Sequence, residues 1–191
     1  DLDEALRIGD RIALMKDGAI VQIGTPEQFL MNPANDYVAR FIEDVDLSRV
    51  LTAEHVMKRA EAVSLDKGPR VALQFMGDLG ISSIFVVDRQ KKLLGAVTAE
   101  AARKAVEKSI PMEQIVEQVT TTAPDTVLIE LFDSVANTSI PVAVTDQNGR
   151  LLGVLIRGAI LGALAGQYED TKQGKNHVFV SEHTKEGGKV S

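Results

Sequence analysis

The sequence predicts an α/β fold assembled from two copies of one small unit, and three observations predict it. The run Ile84-Phe85-Val86-Val87-Asp88, a polar turn and Leu93-Leu94-Gly95-Ala96-Val97-Thr98 return fifty-eight residues later, without a gap, as Val142-Ala143-Val144-Thr145-Asp146, a polar turn and Leu151-Leu152-Gly153-Val154-Leu155-Ile156. Each apolar run has strand length and β-rich composition, so each copy reads as a hairpin. Apolar stripes at helical spacing precede and follow each hairpin, which gives the order β-α-β-β-α twice.

Taken from the N-terminus, Arg11 to Met15 and Ala19 to Ile23 read as two strands whose tight turn uses Gly18 at its permissive position. Thr25 follows as an N-cap, with Pro26 at the first helical position and Gln28 placed to close a capping box. Asn32-Pro33 stops that short helix, and Asn35-Asp36 caps another that carries Tyr37, Val38, Phe41 and Ile42. Residues 1–45 therefore form an α/β piece too small to be a domain. From Glu43 to Thr52 the acidic trio Glu43, Asp44 and Asp46 predicts a solvated connector, with the linker proper at residues 46–52.

The first repeat is assigned to residues 53–110 and the second to 111–166. In the first, Gly68-Pro69 opens a helix with Val71, Ala72, Phe75, Met76 and Leu79 on one stripe; in the second, Pro124 and Asp125 precede Val127, Leu128, Leu131, Phe132 and Val135. The second hairpin turn holds Asn148-Gly149, residues that tolerate positive φ. A helix follows each hairpin, Ala99 to Lys108 and Arg157 to about Tyr168, and Pro111 punctuates the join between repeats. One copy buries too little surface to be secure alone, so the two should pack together. Residues 167–191, rich in Gln, Gly, Lys, Thr and Glu, predict a flexible tail, within which Val178-Phe179-Val180 reads as a short strand or docking segment.

Composition removes several function classes. The 191 residues contain no Cys, hence no disulfide framework, and a net charge of −6 speaks against a general nucleic-acid binder. The most apolar stretch, Leu151 to Gly166, is too short to span a membrane and carries Arg157. A start at Asp1 rather than Met is what a segment of a longer protein would show. His55, His177 and His183 are scattered without a second ligand at helical spacing, so no metal site is expected; Thr120-Thr121-Thr122 fits a strand, and no nucleophile–base constellation exists to support catalysis.

Two units with the run h-h-h-V-D, a polar turn and L-L-G-h-h resemble a tandem pair of CBS domains, a Bateman module, over about Ala53 to Gly166. The resemblance implies a regulatory role and a ligand cleft in each repeat. In family members that bind adenosine nucleotides, the motif G-h-h-T/S-x-x-D supplies a hydroxyl to the phosphate and a carboxylate to the ribose. The first repeat offers Gly95-Ala96-Val97-Thr98-Ala99-Glu100-Ala101, with the hydroxyl present and the acid one residue early; the second offers Gly153 to Ala159 with neither. A one-residue shift on a helix turns a side chain by about 100°, so Glu100 is a poor substitute. Thr98, Glu100, Arg157, Ile81 and Ile140 are the candidate ligand-binding residues, for an adenine nucleotide or for a cyclic dinucleotide at the interface of two modules; the remaining alternative is a dimerisation platform with no ligand.

Asp1-Leu2-Asp3-Glu4-Ala5, Asp10 to Met15, Asp17-Gly18 and Gly24-Thr25-Pro26-Glu27 resemble the last segment of an ABC transporter ATPase domain. The phosphate loop, signature motif and Mg²⁺-holding Asp-Glu pair of that family do not occur in this chain, so ATP and Mg²⁺ would belong to a core outside it, and this segment alone is not an enzyme. Joined to a CBS pair, and with the phrase Asn32 to Val38, the whole is similar to the ATP-binding subunits of glycine betaine/proline-type, osmoregulatory ABC importers. The fold expected is thus a tandem CBS pair preceded by the C-terminal end of an ABC ATPase domain. The resemblance implies membrane-spanning permease subunits as partners and the cytoplasmic face of the bacterial inner membrane as location.

Charge and apolarity add two surfaces. The first repeat holds ten Lys or Arg against seven Asp or Glu, the second two against six. Arg89, Lys91, Lys92, Arg103, Lys104 and Lys108 are candidates for a patch that meets anionic lipid, an attraction that salt weakens. The helix after the second hairpin, with Ile156, Ile160, Leu161 and Leu164, is much more apolar than its counterpart and is the expected homodimer interface.

Overall fold

The computed structural model describes residues 2–165 and 178–180. The chain begins with α1 (Leu2–Ile8), the antiparallel pair β1 (Ile12–Lys16) and β2 (Ala19–Gly24), α2 (Pro26–Met31) and α3 (Asp36–Ile42). Its turns and caps are the anticipated ones. Asp17 and Gly18 adopt φ 51 and 80, the Thr25–Gln28 capping box is complete, and the Asn35 side chain accepts from the Tyr37 and Val38 amides. Leu6, Leu14, Phe29, Val38, Val45 and Val50 make this segment's own small core.

The connector is solvated on one face only. Asp46 caps a single-turn helix, α4 (Leu47–Val50), and Val50 and Leu51 are only 6% and 3% exposed. The acids at 43, 44 and 46 face outward while Val45, Val50 and Leu51 turn inward, which corrects the expectation of a solvated linker.

The repeats follow as α5 (Ala53–Val56), β3 (Ala60–Ser64), α6 (Gly68–Leu79), β4 (Ser83–Val87), β5 (Leu93–Thr98) and α7 (Ala99–Lys108), then β6 (Thr121–Thr122), α8 (Leu128–Asn137), β7 (Val142–Thr145), β8 (Leu151–Leu155) and α9 (Arg157–Leu164). Registers correspond: Ala62 pairs with Phe85 in parallel as Thr121 pairs with Ala143, and both hairpins are antiparallel. The turn residue equivalent to Gly149, at φ 76, is Lys91, which accepts φ 63, a conformation that a residue with a Cβ adopts at some cost.

The leading segment of each repeat packs into the other repeat. Ala53, Val56 and Met57 belong to one core with Leu128, Leu131, Val142 and Leu155, while Met112 joins Phe75, Met76, Ile84 and Val97, with Ile115 and Val116 against them. A third cluster, including Ala60, Phe85, Ala96, Ala143 and Val154, lies between the two sheets. Reciprocal backbone bonds fasten the crossings: Lys58 and Val154 exchange two at 2.9 Å, and Ala96 and Glu117 exchange two at 3.0 and 2.9 Å. Within the stretch assigned to a flexible tail, Val178–Val180 forms β9, parallel to β3 at the edge of that sheet; 166–177 and 181–191, and with them His177 and His183, lie outside the described residues.

Candidate functional site

In the second repeat a cleft of about 330 Å³ opens where α8 ends and α9 begins, lined by Val135, Thr138, Pro141, Leu155, Ile156 and Arg157 among others. Arg157 is already committed. Its Nε donates to the Val135 carbonyl at 3.0 Å and its Nη2 to those of Ala136 at 2.7 Å and Thr138 at 3.3 Å. A cation on the last carbonyls of a helix neutralises the negative end of its dipole and supplies the donors that those carbonyls lack. Ile156, 42% exposed, stands where the first repeat has a hydroxyl, and no side chain caps α9. Among the described residues no carboxylate lines this cleft.

The first repeat uses its polar residues locally as well. The Thr98 hydroxyl accepts from the Ala101 amide at 3.2 Å and so caps α7. Glu100 points along the helix surface to Lys104, 2.6 Å away; the hydrogen bond and charge of that lysine hold its carboxyl below the ordinary value. Both side chains are mostly exposed, so the pair adds little stability. Ile81 is exposed before β4, whereas Ile140 packs against the cluster between the sheets.

The hairpin turns of the two repeats meet. The Leu93 amide donates to the Gly149 carbonyl at 2.9 Å and the Leu151 amide to that of Lys91 at 3.2 Å. Arg150, exposed and equivalent in sequence to Lys92, therefore joins Arg89, Lys91 and Lys92 in one cationic surface. Sequence reasoning passed over Arg150 because it lies in the acidic repeat; the fifty-eight-residue register was the signal that could have found it. Arg89 also contributes to holding the Asp66 carboxyl below its usual value, after the Ser64 hydrogen bond and Lys67. On α7, Arg103, Lys104 and Lys108 are exposed, with Lys104 drawn to Glu100.

The apolar helix divides. Leu161 and Ile156 are 67% and 42% exposed, but Ile160 is 4% exposed inside the repeat's own core and Leu164 packs against it, so these last two are not free for a partner. Phe132 and Ile129 of α8 add exposed apolar area nearby in sequence to that core. Among the described residues no group of His, Cys, Asp and Glu is placed to hold a metal ion, and no helix is long and apolar enough to cross a membrane.

Residues 53–108 and 110–166 match the CBS domain family. The chain is 61% identical over 170 residues to the glycine betaine transport ATP-binding protein OpuAA of Bacillus subtilis, a match covering 88% of this chain and 41% of that protein. To the glycine betaine/carnitine transport ATP-binding protein GbuA of Listeria monocytogenes it is 51% identical over 169 residues, covering 87% and 42%. The chain thus spans less than half the length of these curated relatives. Among solved structures, Staphylococcus aureus OpuCA superposes with a TM-score of 0.53 at 22% identity, covering 58% of this chain and 96% of that one. CBSX2, solved in complex with AMP, gives 0.52 at 19%, covering 60% and 96%. At these identities the structural likeness is one of fold.

Proposed function

The chain belongs to the CBS domain family, and from that premise we propose that it is the regulatory end of the ATP-binding subunit of an importer for glycine betaine or a related quaternary ammonium compound. The observation that carries the reading is the extent of the likeness to OpuAA. At 170 residues it reaches well beyond the two CBS repeats into the N-terminal segment, which the structure packs against the second repeat through α4. In this reading ATP and Mg²⁺ are held by a core outside the chain, the partners are membrane-spanning permease subunits, and the location is the cytoplasmic face of the bacterial plasma membrane. Two CBS pairs associate through Ile156 and Leu161.

The regulatory input is ionic strength. Arg89, Lys91, Lys92 and Arg150 form a surface that attracts anionic lipid in dilute salt. Each such charge contributes about 1 kcal/mol near the membrane, and the Debye length falls from about 10 Å at 0.1 M to about 3 Å at 1 M salt. The test is betaine uptake in vesicles that contain the intact transporter, with Arg89, Lys91 and Lys92 replaced by Gln, across a range of internal salt. The threshold is expected to move to lower salt; an unmoved threshold would place the sensor elsewhere.

A second reading, an adenine nucleotide or cyclic dinucleotide as the signal, draws on the open cleft of about 330 Å³ in the second repeat. Against a mononucleotide stand the engaged Arg157 and Thr98 and the misplaced Glu100. A cyclic dinucleotide between two modules depends less on that carboxylate. Millimolar AMP or ATP is expected to leave the melting temperature unchanged, since a ligand at a hundred times its dissociation constant would add about 2.7 kcal/mol. A shift of several degrees that Thr98→Ala abolishes would favour the nucleotide instead.

A further inference from the structure

We infer that residues 46–57 are a strut through which the second CBS repeat, and not the first, is mechanically coupled to the N-terminal segment. Both ends of the strut are fixed. At its start the Val45 amide donates to the Ile42 carbonyl at 3.1 Å, with Val45 buried in the N-terminal core, and Asp46 caps the strut's own first turn by accepting from the Ser48 amide at 3.1 Å and the Ser48 hydroxyl at 2.6 Å. At its far end the Ala53 amide donates to the Thr126 carbonyl at 2.8 Å, that of Glu54 to Pro124 at 2.9 Å, and that of Leu128 to Leu51 at 2.9 Å. These three bonds stitch the strut to the segment that leads into α8.

Side chains make the same connection. Val50 is buried in the core of the N-terminal segment and the adjacent Leu51 in the core of the second repeat, beside Leu128, Leu131 and Ile160. Leu30 and Leu47 touch both cores. Helix α4 packs against α1 on one side and against α8 and α9 on the other, and among the described residues α6 and α7 make no comparable packing with the N-terminal segment. A close-packed element held by two cores transmits displacement, because neither core can yield without opening a void. Arg157 extends the connection, tying the start of α9 to the end of α8 across the cleft. A change that loosens or shifts α8 therefore reaches the N-terminal segment through packed side chains, while one in the body of the first repeat reaches it only along the chain through Met57 or by way of the second repeat.

The coupling is a property of this chain, and only its consequence for ATP hydrolysis rests on the proposed function. The experiment accordingly reads amide hydrogen exchange in the chain itself, at Phe29 and Ala39, whose amides donate to Thr25 and Asn35. Leu128→Ala is expected to raise exchange at both by about tenfold or more through local opening, and Met76→Ala, at a site just as buried in the first repeat, to leave it within about twofold. If Leu128→Ala does not fold, Leu128→Val is read in its place with the same ordering. A Gly-Ser-Gly insertion between Val50 and Leu51 should uncouple the N-terminal amides from the Leu128 substitution. Equal effects of the two repeats, no effect of either, or coupling that survives the insertion would each overturn the inference.

Discussion

Gly95 and Gly153 stand at equivalent positions of the two repeats, and each faces the backbone of the other repeat's leading segment. A Cβ on Gly95 would run into the Glu117 carbonyl, and one on Gly153 would lie 2.9 Å from the Lys58 carbonyl and 2.7 Å from Met57 Sδ. The glycines thus permit the crossings at which each repeat completes the core of the other.

The two positions should nevertheless respond differently. Gly95 has φ 149 and meets backbone, so Gly95→Ala combines strain with overpacking and is expected to cost about 3 kcal/mol or more. Gly153 carries no such φ, and part of its clash is with a flexible methionine, so Gly153→Ala should cost about 1–2 kcal/mol. Denaturant unfolding of both variants decides this, and equal losses would show that the positive φ at Gly95 adds no strain to the substitution.

On α9 neighbouring residues separate assembly from stability. Leu161→Glu is expected to reduce the mass in solution from dimer to monomer while leaving the unfolding free energy of the monomer within about 0.5 kcal/mol. Ile160→Ala should do the opposite, lowering stability by about 2–5 kcal/mol through the void it leaves in the core, with the mass unchanged. Sedimentation and thermal unfolding, run together, check both.

Much of this architecture was legible in the sequence because its signals are local. The hairpins, the Thr25 capping box, the Asn35 cap and the helix opening at Gly68-Pro69 each depend on a few adjacent residues, and each is present. What escaped depends on partners distant in sequence. Nothing in the stripe Ala53, Val56, Met57 says which core will receive it, and it goes to the second repeat. In the connector three acids outweigh Val45, Leu47, Val50 and Leu51 in composition, although the spacing of those four fits a short buried turn. Of the four residues expected on the α9 surface, Ile160 turns into the repeat's own core while Leu161, about 100° further around the helix axis, stays exposed. For the candidate clefts, the departures from the nucleotide motif at Ala101 and Ile156 were visible, but the use of Arg157 as a clasp on the end of α8 was not.

The strut should also be sensitive to acid. The Ser48 hydroxyl and amide, with Arg49, hold the Asp46 carboxyl below its ordinary value, so its contribution is complete above the usual carboxylate range and is lost as pH falls through the folded value. Asp46→Ala is expected to remove about 1 kcal/mol of capping at neutral pH, and Asp46→Asn to keep most of it while flattening the acid side of the stability profile. Equal profiles for wild type and Asp46→Asn would mean that the carboxylate charge is immaterial there.

Uptake by a transporter whose ATP-binding subunit ends at Val50 tests the regulatory assignment most directly, since this boundary keeps the N-terminal core whole and removes the CBS pair. Measured in vesicles against internal salt, betaine uptake is predicted to persist and to lose its salt dependence. Uptake that still rises at the wild-type threshold, or that disappears although the shortened subunit folds and hydrolyses ATP, would contradict the assignment.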